Sequence, residues 1–284
     1  MNINQLDSLN IKYVLNEPLK NWTTFKVGGP CKAMFFPKNK EELFTLSELF
    51  KDEFFVLGNG SNILCSDSGV DKIVINTKNL NKLKLNGTLL ICECGAKNSD
   101  ISKLLYENSL SGFEFAHKIP GTIGGLVAMN GGSFNKTVSD IVCYVVSFSG
   151  IYNNSGCQFS YRSSAFFDDT IYSVALKLKP AEREDIDAKL ERFSTLRKIK
   201  QPRGNSCGSV FLNDGYFAGK VIDQAGLKGY RIGGAFVSKE HANFIINDGG
   251  SAQNIYDLIC YIKETVKTRS DIELKEEVKY LGKF

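Results

Sequence analysis

The chain has 284 residues, 43% hydrophobic and 23% charged, enough to bury sizeable cores in two or three domains of roughly 100–150 residues each. Its net charge of +4 comes from scattered Lys and Arg, which excludes the clustered basic face of a nucleic-acid-binding protein. No apolar run approaches the roughly 18–20 residues of a membrane-spanning helix, and the polar start Met1–Asp7 lacks a signal-peptide core. The expectation is a cytoplasmic protein with neither nucleic-acid nor membrane partners.

Residues 32–36 read as a strand, 40–50 as a helix with Leu43, Leu46 and Phe50 on one stripe, and 54–57 and 72–76 as buried strands. This β-α-β pattern makes a small α+β unit. Asn86-Gly87, a strong two-residue turn signal, joins strands at 82–85 and 88–93 into a hairpin. A helix at about 99–109 carries Ile101, Leu104 and Leu105, and Gly112 ends it. Residues 141–149 and 171–179 are long β segments. Charged residues follow Pro180, and Ile186, Leu190, Phe193 and Leu196 then recur at helical spacing. A domain boundary falls near 180–200. Beyond it come a helix at 216–226, a strand at 243–247, a helix at 252–267 and a final strand over about 274–281. The segment 228–243 mixes glycine, aromatic and polar residues and reads as a functional loop rather than a core element.

The eight cysteines include no Cys-x-x-Cys, and the two histidines, His117 and His241, are far apart. That argues for free, mostly buried thiols and against a metal site.

Two glycine clusters carry the strongest chemical signal. Ile119–Gly132 holds five glycines, one proline and no charged side chain. Gly58–Asn62 follows the apolar run Phe54–Leu57. Glycine permits positive φ and close approach of backbone to a ligand, so any anion here would be held mainly by backbone N–H groups. Together the clusters suggest one long phosphate-bearing cofactor touched at several points.

Other candidates are ambiguous alone. Gln201–Asn213 offers Ser206, Cys207 and Ser209, but no Gly-x-Ser-x-Gly elbow occurs. Ser209 by itself reads as a turn or strand residue, although a serine can donate a proton where its neighbours stabilise the alkoxide. Arg162 reads as a surface ion pair or as a fork for carboxylate or phosphate. Glu276 and Glu277 read as residues of a half-exposed edge strand.

In order and spacing, the motifs Thr23–Gly29, Leu57–Leu64, Ile119–Gly125 with Met129–Gly132, Tyr161-Arg162-x-Ser164, Gly208–Phe211, Ala225–Gly234, His241–Phe244 and Glu277-Val278 resemble those of the UDP-N-acetylenolpyruvoylglucosamine reductase (MurB) family. The resemblance covers nearly the whole chain. It implies an α+β protein with a two-part FAD-binding fold of the vanillyl-alcohol-oxidase (PCMH) type and a C-terminal α+β substrate domain. The implied parts are 1–78, to which a strand near 274–284 returns, then 79–200, and a substrate domain at 201–273. FAD would contact Gly58, Asn59, Gly60, Ser61 and Asn62 in one turn. It would also contact Pro120, Gly121, Thr122, Gly124, Gly125 and Asn130 in the other segment.

The family reaction implies that NADPH reduces the flavin, which passes hydride to the enolpyruvyl double bond of a UDP-sugar. Carried over by motif, Ser209 is the proton donor, and Arg162 and Glu277 are the pair at the substrate carboxylate. Glu277 would carry a proton there, which requires a raised pKa. Lys200 and Asn213 would approach the diphosphate, and Tyr230 lies in a substrate-domain motif. The implied ligands are small molecules, with no metal, on a monomer.

The chain departs from the family pattern at Ser163, where Asp or Glu is common, and at Leu212 and Asp214, where Lys and Pro are common. The short span from Arg162 to Lys200 lacks the insertion of the longer subtype and resembles the shorter type II enzymes. Rival readings are an alcohol-oxidising FAD enzyme of the same fold and a non-catalytic flavin- or nucleotide-sugar-binding protein.

Overall fold

A computed structural model describes residues 8–284, which form two compact units. Among the described residues, the first comprises 8–14, Ala33–Asn59 and Lys72–Leu196; the second comprises Leu15–Lys32, Gly60–Asp71 and Arg197–Phe284.

In the first unit, Asn39 starts the helix Lys40–Phe50 by accepting the Glu42 N–H at 2.8 Å, while Glu41 and Glu42 meet the positive end of the helix dipole. Leu43, Leu46 and Phe50 are buried, as the stripe predicts. The helix leads towards the strand Phe54–Leu57, which pairs in parallel with Val70–Asn76 and ends in the pair Leu57↔Asn76. These strands belong to a four-stranded sheet ordered Tyr13–Leu15, Cys31–Phe35, Val70–Asn76, Phe54–Leu57. The strand Phe54–Leu57 delivers Gly58 at its C-terminal end.

A second, antiparallel sheet runs Gly150–Asn153, Val142–Ser147, Ile171–Lys177, Leu89–Glu93, Leu83–Asn86. Its last hairpin pair is Asn86↔Leu89, so the two loop residues are Gly87 and Thr88, one place beyond the Asn-Gly dipeptide. Gly87 supplies the left-handed angle, with φ +58. Phe35, Leu90, Ile101, Phe115, Ile123, Val145, Phe166 and Val174 are among the buried residues of one continuous core. Each such side chain contributes about 1.5–3 kcal/mol of transfer free energy.

The second unit is built on the helix Ala252–Ser270, capped reciprocally by Ser251 and Asn254. Asp67 adds a carboxylate at the same end, accepting the Ala252 N–H at 2.6 Å. Ile255, Leu258, Ile259, Ile262 and Val266 face a core that also holds Phe25, Leu64, Val210, Phe211 and Val278. The chain's C-terminal strand Lys279–Leu281 lies parallel to Ile63–Cys65.

Two expectations change. The stretch 274–281 is not one strand: regular pairing begins at Lys279, and Glu276 makes only a single bridge to Phe211. The cause lies at Val210, whose carbonyl accepts both the Glu277 N–H (2.7 Å) and the Val278 N–H (3.3 Å), which breaks the alternation of a ladder. Nor is 228–243 a surface loop. Arg231–Ile232 and Ala235–Val237 form two strands of a three-stranded sheet with Ile245–Asn247, and Ala235 and Val237 are fully buried. The Gly233-Gly234 turn permits this, because a Cβ on Gly234 would stand 2.1 Å from the Gly250 nitrogen. Among the described residues, no helix is long and apolar enough to cross a membrane.

Candidate active site

In the first unit, Thr122 caps the short helix Ile123–Ala128 and accepts the Gly125 N–H at 3.4 Å. The Ile123 and Gly124 N–H groups go to the Ala96 and Cys94 carbonyls, both at 2.9 Å. The first donors of this helix are therefore already engaged. Its glycines serve close packing: a Cβ on Gly124 would meet Cys94 at 2.9 Å, and one on Gly58 would meet the Thr122 hydroxyl at 2.5 Å.

The end of this helix holds the Arg162 turn. Ser164 donates to the Ala128 carbonyl at 2.9 Å, and Asn130 Nδ2 donates to the Ser160 carbonyl at 2.9 Å. Asn130 Oδ1 also accepts the Ser139 N–H at 3.3 Å. Ser160 and Ser163 bridge across a turn in which Arg162 takes a left-handed φ of +55. Its guanidinium carbon sits 5.4 Å from the centre of the Tyr161 ring. Arg162 is half-buried.

In the second unit, Gly60 takes φ +60, and a Cβ there would stand 2.1 Å from the Trp22 carbonyl oxygen. Its own carbonyl accepts the Thr24 N–H at 3.1 Å. The N–H groups of Gly60, Ser61 and Asn62 meet no acceptor among the described residues, so this turn presents consecutive backbone donors. Asn62 also reaches the other end of the chain. Its Nδ2 donates to the Glu277 carbonyl at 3.0 Å, and its carbonyl accepts the Lys279 N–H at 3.0 Å.

The same unit brings Ser209 and Glu277 onto neighbouring rungs. Ser209 bridges to Phe244, and Val210, the next residue, donates to the Asn243 carbonyl and accepts from Glu277. Leu212 donates to the Lys275 carbonyl at 2.8 Å, which extends the same pairing. Ser209, Glu276 and Glu277 are half-buried. Glu276 is tied to Lys263 at 2.7 Å. Burial pushes the Cys207 thiol pKa up, and the nearby Glu277 charge adds to the rise.

The remaining candidates lie on the same unit. Asn213 is exposed and accepts the Ala218 N–H at 2.9 Å, at the start of the helix Ala218–Gln224. Tyr230 stacks on Tyr261 with centroids 4.3 Å apart. Lys200 ends the helix Arg183–Lys200, and its side chain lies outside the described residues. The sequence reading had no role for Asn243 or Lys263. Only the His241–Phe244 motif hinted at the first, and nothing in the spacing marked the second.

Residues 199–281 match the family model for the UDP-N-acetylenolpyruvoylglucosamine reductase C-terminal domain, and residues 31–154 match the FAD binding domain. The chain is 39% identical to the UDP-N-acetylenolpyruvoylglucosamine reductase of Caldanaerobacter subterraneus, over 95% of this chain and 94% of that protein. It is 41% identical to the Streptococcus pyogenes enzyme of the same name, over 99% of both. The crystal structure of UDP-N-acetylenolpyruvylglucosamine reductase (MurB) from Thermus caldophilus matches with a TM-score of 0.84 at 32% identity, covering 95% of this chain and 98% of that one. A berberine bridge enzyme matches over 64% of this chain and 44% of its own, with a TM-score of 0.50 at 16% identity. That likeness is of fold alone. The architecture is thus an FAD-binding fold of the vanillyl-alcohol-oxidase type followed by a reductase C-terminal domain. The donors at Gly60–Asn62, and the glycines that leave no room for a side chain, fit a cofactor bearing a diphosphate.

Proposed function

The chain belongs to the UDP-N-acetylenolpyruvoylglucosamine reductase family, an FAD-dependent oxidoreductase family of peptidoglycan precursor synthesis, and on that premise we propose that it reduces UDP-N-acetylglucosamine enolpyruvate to UDP-N-acetylmuramate with NADPH. When bound, FAD would supply the two-electron chemistry that links NADPH oxidation to reduction of the enolpyruvyl double bond. The chain's own residues orient the substrate, balance charge and deliver the proton.

Hydride addition at carbon 3 builds negative charge on carbon 2 and its carboxylate. Arg162 neutralises that charge with a two-pronged contact, strongest where water is excluded. Ser209 delivers its hydroxyl proton to carbon 2, because the enolate-like carbon is a stronger base than the alkoxide left behind. Glu277 sits at the same carboxylate as a proton-bearing acid, a state that requires a raised pKa. Lys200 and Asn213 approach the diphosphate, and Tyr230 contributes to the substrate-domain surface.

FAD would be held by residues from 1–78 and 79–200. Gly60–Asn62 would offer N–H donors, with Gly58, Asn59, Pro120–Gly125 and Asn130 contributing further contacts. Residues 201–273 bind the UDP-sugar. The span between Arg162 and Lys200 assigns the chain to the shorter type II enzymes. It works as a cytoplasmic monomer on small molecules alone.

The observation that carries this reading is the main-chain hydrogen bond from Glu277 to Val210, which brings the backbone of Glu277 to the residue next to Ser209. Mass spectrometry of the product tests it. Turnover in heavy water with NADPH should add two hydrogens across the enolpyruvyl double bond, the one at carbon 2 as deuterium from solvent, with one NADPH consumed per product. An unchanged substrate, or oxidation of an alcohol instead, would reject the reading.

A further inference from the structure

We propose that Asn243 is a positioning residue for proton delivery by Ser209; the inference rests on the reading of Ser209 as proton donor. Asn243 is buried, 2% exposed, on the segment following His241. Its amide makes two hydrogen bonds to one residue. Nδ2 donates to the Phe211 carbonyl at 2.8 Å, and Oδ1 accepts the Phe211 N–H at 2.9 Å. Its main-chain carbonyl accepts the Val210 N–H at 2.9 Å. Its own N–H donates to His241 Nδ1 at 3.2 Å, which fixes Asn243 in turn.

A carboxamide is the side chain that presents a donor and an acceptor in one plane, as a peptide group does. Asn243 thereby acts as an extra rung for the segment Ser209–Phe211. The other edge of that segment is held at Val210 by Glu277 and Val278, and just beyond it Leu212 donates to Lys275. On its N-terminal side, Ser209 follows Gly208, at φ +84, where an added Cβ would meet nothing within 4 Å. Besides its own bridge to Phe244, Ser209 is therefore held from its C-terminal side, through Val210 and Phe211. Loss of the amide frees two buried backbone groups on that side. A displacement of about 1 Å at a reacting group slows chemistry on the order of 100-fold.

The test compares holoenzyme variants Asn243→Asp, Asn243→Ser and Ser209→Ala in two separate steps: flavin reduction by NADPH, and flavin reoxidation by the enolpyruvyl substrate. Asn243→Asp keeps the size and the acceptor but loses the donor. The expected result is unchanged reduction, reoxidation slowed roughly 10- to 100-fold, and a larger solvent deuterium isotope effect on that step. Wild-type reoxidation in Asn243→Asp overturns the inference. Equal slowing of both steps with an unchanged isotope effect also overturns it, since that is general damage.

If Ser209→Ala is slow while the Asn243 variants are fast, this inference alone fails. If Ser209→Ala reoxidises at the wild-type rate, the proton-donor reading fails and the inference with it. Should the variants not fold, amide hydrogen exchange in the wild-type enzyme decides. Slow exchange at Phe211 is expected, and exchange as fast as at an exposed loop contradicts the clamp.

Discussion

Glu277 donates its main-chain N–H to the Val210 carbonyl at 2.7 Å, one residue beyond Ser209. Two segments far apart in sequence thus meet at a single backbone junction. That junction is part of the core, since Val210 is fully buried and Val278 is 3% exposed. The backbone that carries Ser209 and Glu277 is therefore held at this junction by packing and a hydrogen bond.

Replacing Ser209 with alanine should leave flavin reduction by NADPH intact and slow flavin reoxidation by about 100- to 1,000-fold, the usual weight of a positioned proton donor. Rapid-mixing absorbance separates the two steps. Slowing confined to the first step would contradict the role.

Arg162→Lys should lower kcat/KM by about 100-fold, because a point charge replaces a fork aimed at a planar carboxylate. Lysine is no worse than arginine at the left-handed φ of +55, so thermal stability should barely change. Steady-state kinetics beside a melting curve distinguish lost charge geometry from lost fold.

Gly60 and Gly87 make a controlled pair. Both have φ near +60 (+60 and +58), but a Cβ at Gly60 meets the Trp22 carbonyl at 2.1 Å while one at Gly87 meets nothing within 4 Å. Gly87→Ala should destabilise by about 1–2 kcal/mol and keep its flavin. Gly60→Ala should be purified with little FAD. The ratio of visible to ultraviolet absorbance reads the outcome.

The adjacent carboxylates should behave differently. Glu276→Gln breaks a part-exposed pair with Lys263, worth about 1 kcal/mol or less, and leaves turnover near wild type. Glu277→Gln should lower turnover by about 100-fold. Equal effects on turnover would reject the assignment of Glu277 alone to the carboxylate.

Native thiol labelling should be fast at one position. Cys260 is exposed, whereas six of the other thiols are buried. Burial pushes Cys65, Cys92 and Cys94 up to about 12 and Cys31 and Cys157 up to about 11, so little thiolate exists at neutral pH. Peptide mapping after brief alkylation should find Cys260 modified first. Early modification of Cys207 would contradict its buried place beside Glu277.

Periodicity made the helices Lys40–Phe50 and Ala252–Ser270 legible, because each has a polar cap and one continuous apolar stripe. Glycine clusters marked the turns for the same local reason: their backbone angles and contacts exclude a side chain. What spacing could not reveal is non-local. Val210 accepts two N–H groups from 277–278 and so cuts short a strand that alternation alone would have continued. Asn243 clamps Phe211 from 32 residues away. The donors at the start of Ile123–Ala128 look open in sequence, yet they are taken by Cys94 and Ala96. The proposed roles of Ser209, Arg162 and Glu277 rest on motif order, since each residue alone has an ordinary structural reading.

The most direct test of the account is anaerobic titration of the flavoprotein, first with NADPH and then with UDP-N-acetylglucosamine enolpyruvate. The account predicts that the visible flavin band bleaches with one equivalent of NADPH and returns fully with one equivalent of the enolpyruvyl sugar. Bleaching that the sugar cannot reverse would contradict the proposed reaction, and a protein that stays colourless after FAD is supplied would contradict the cofactor site.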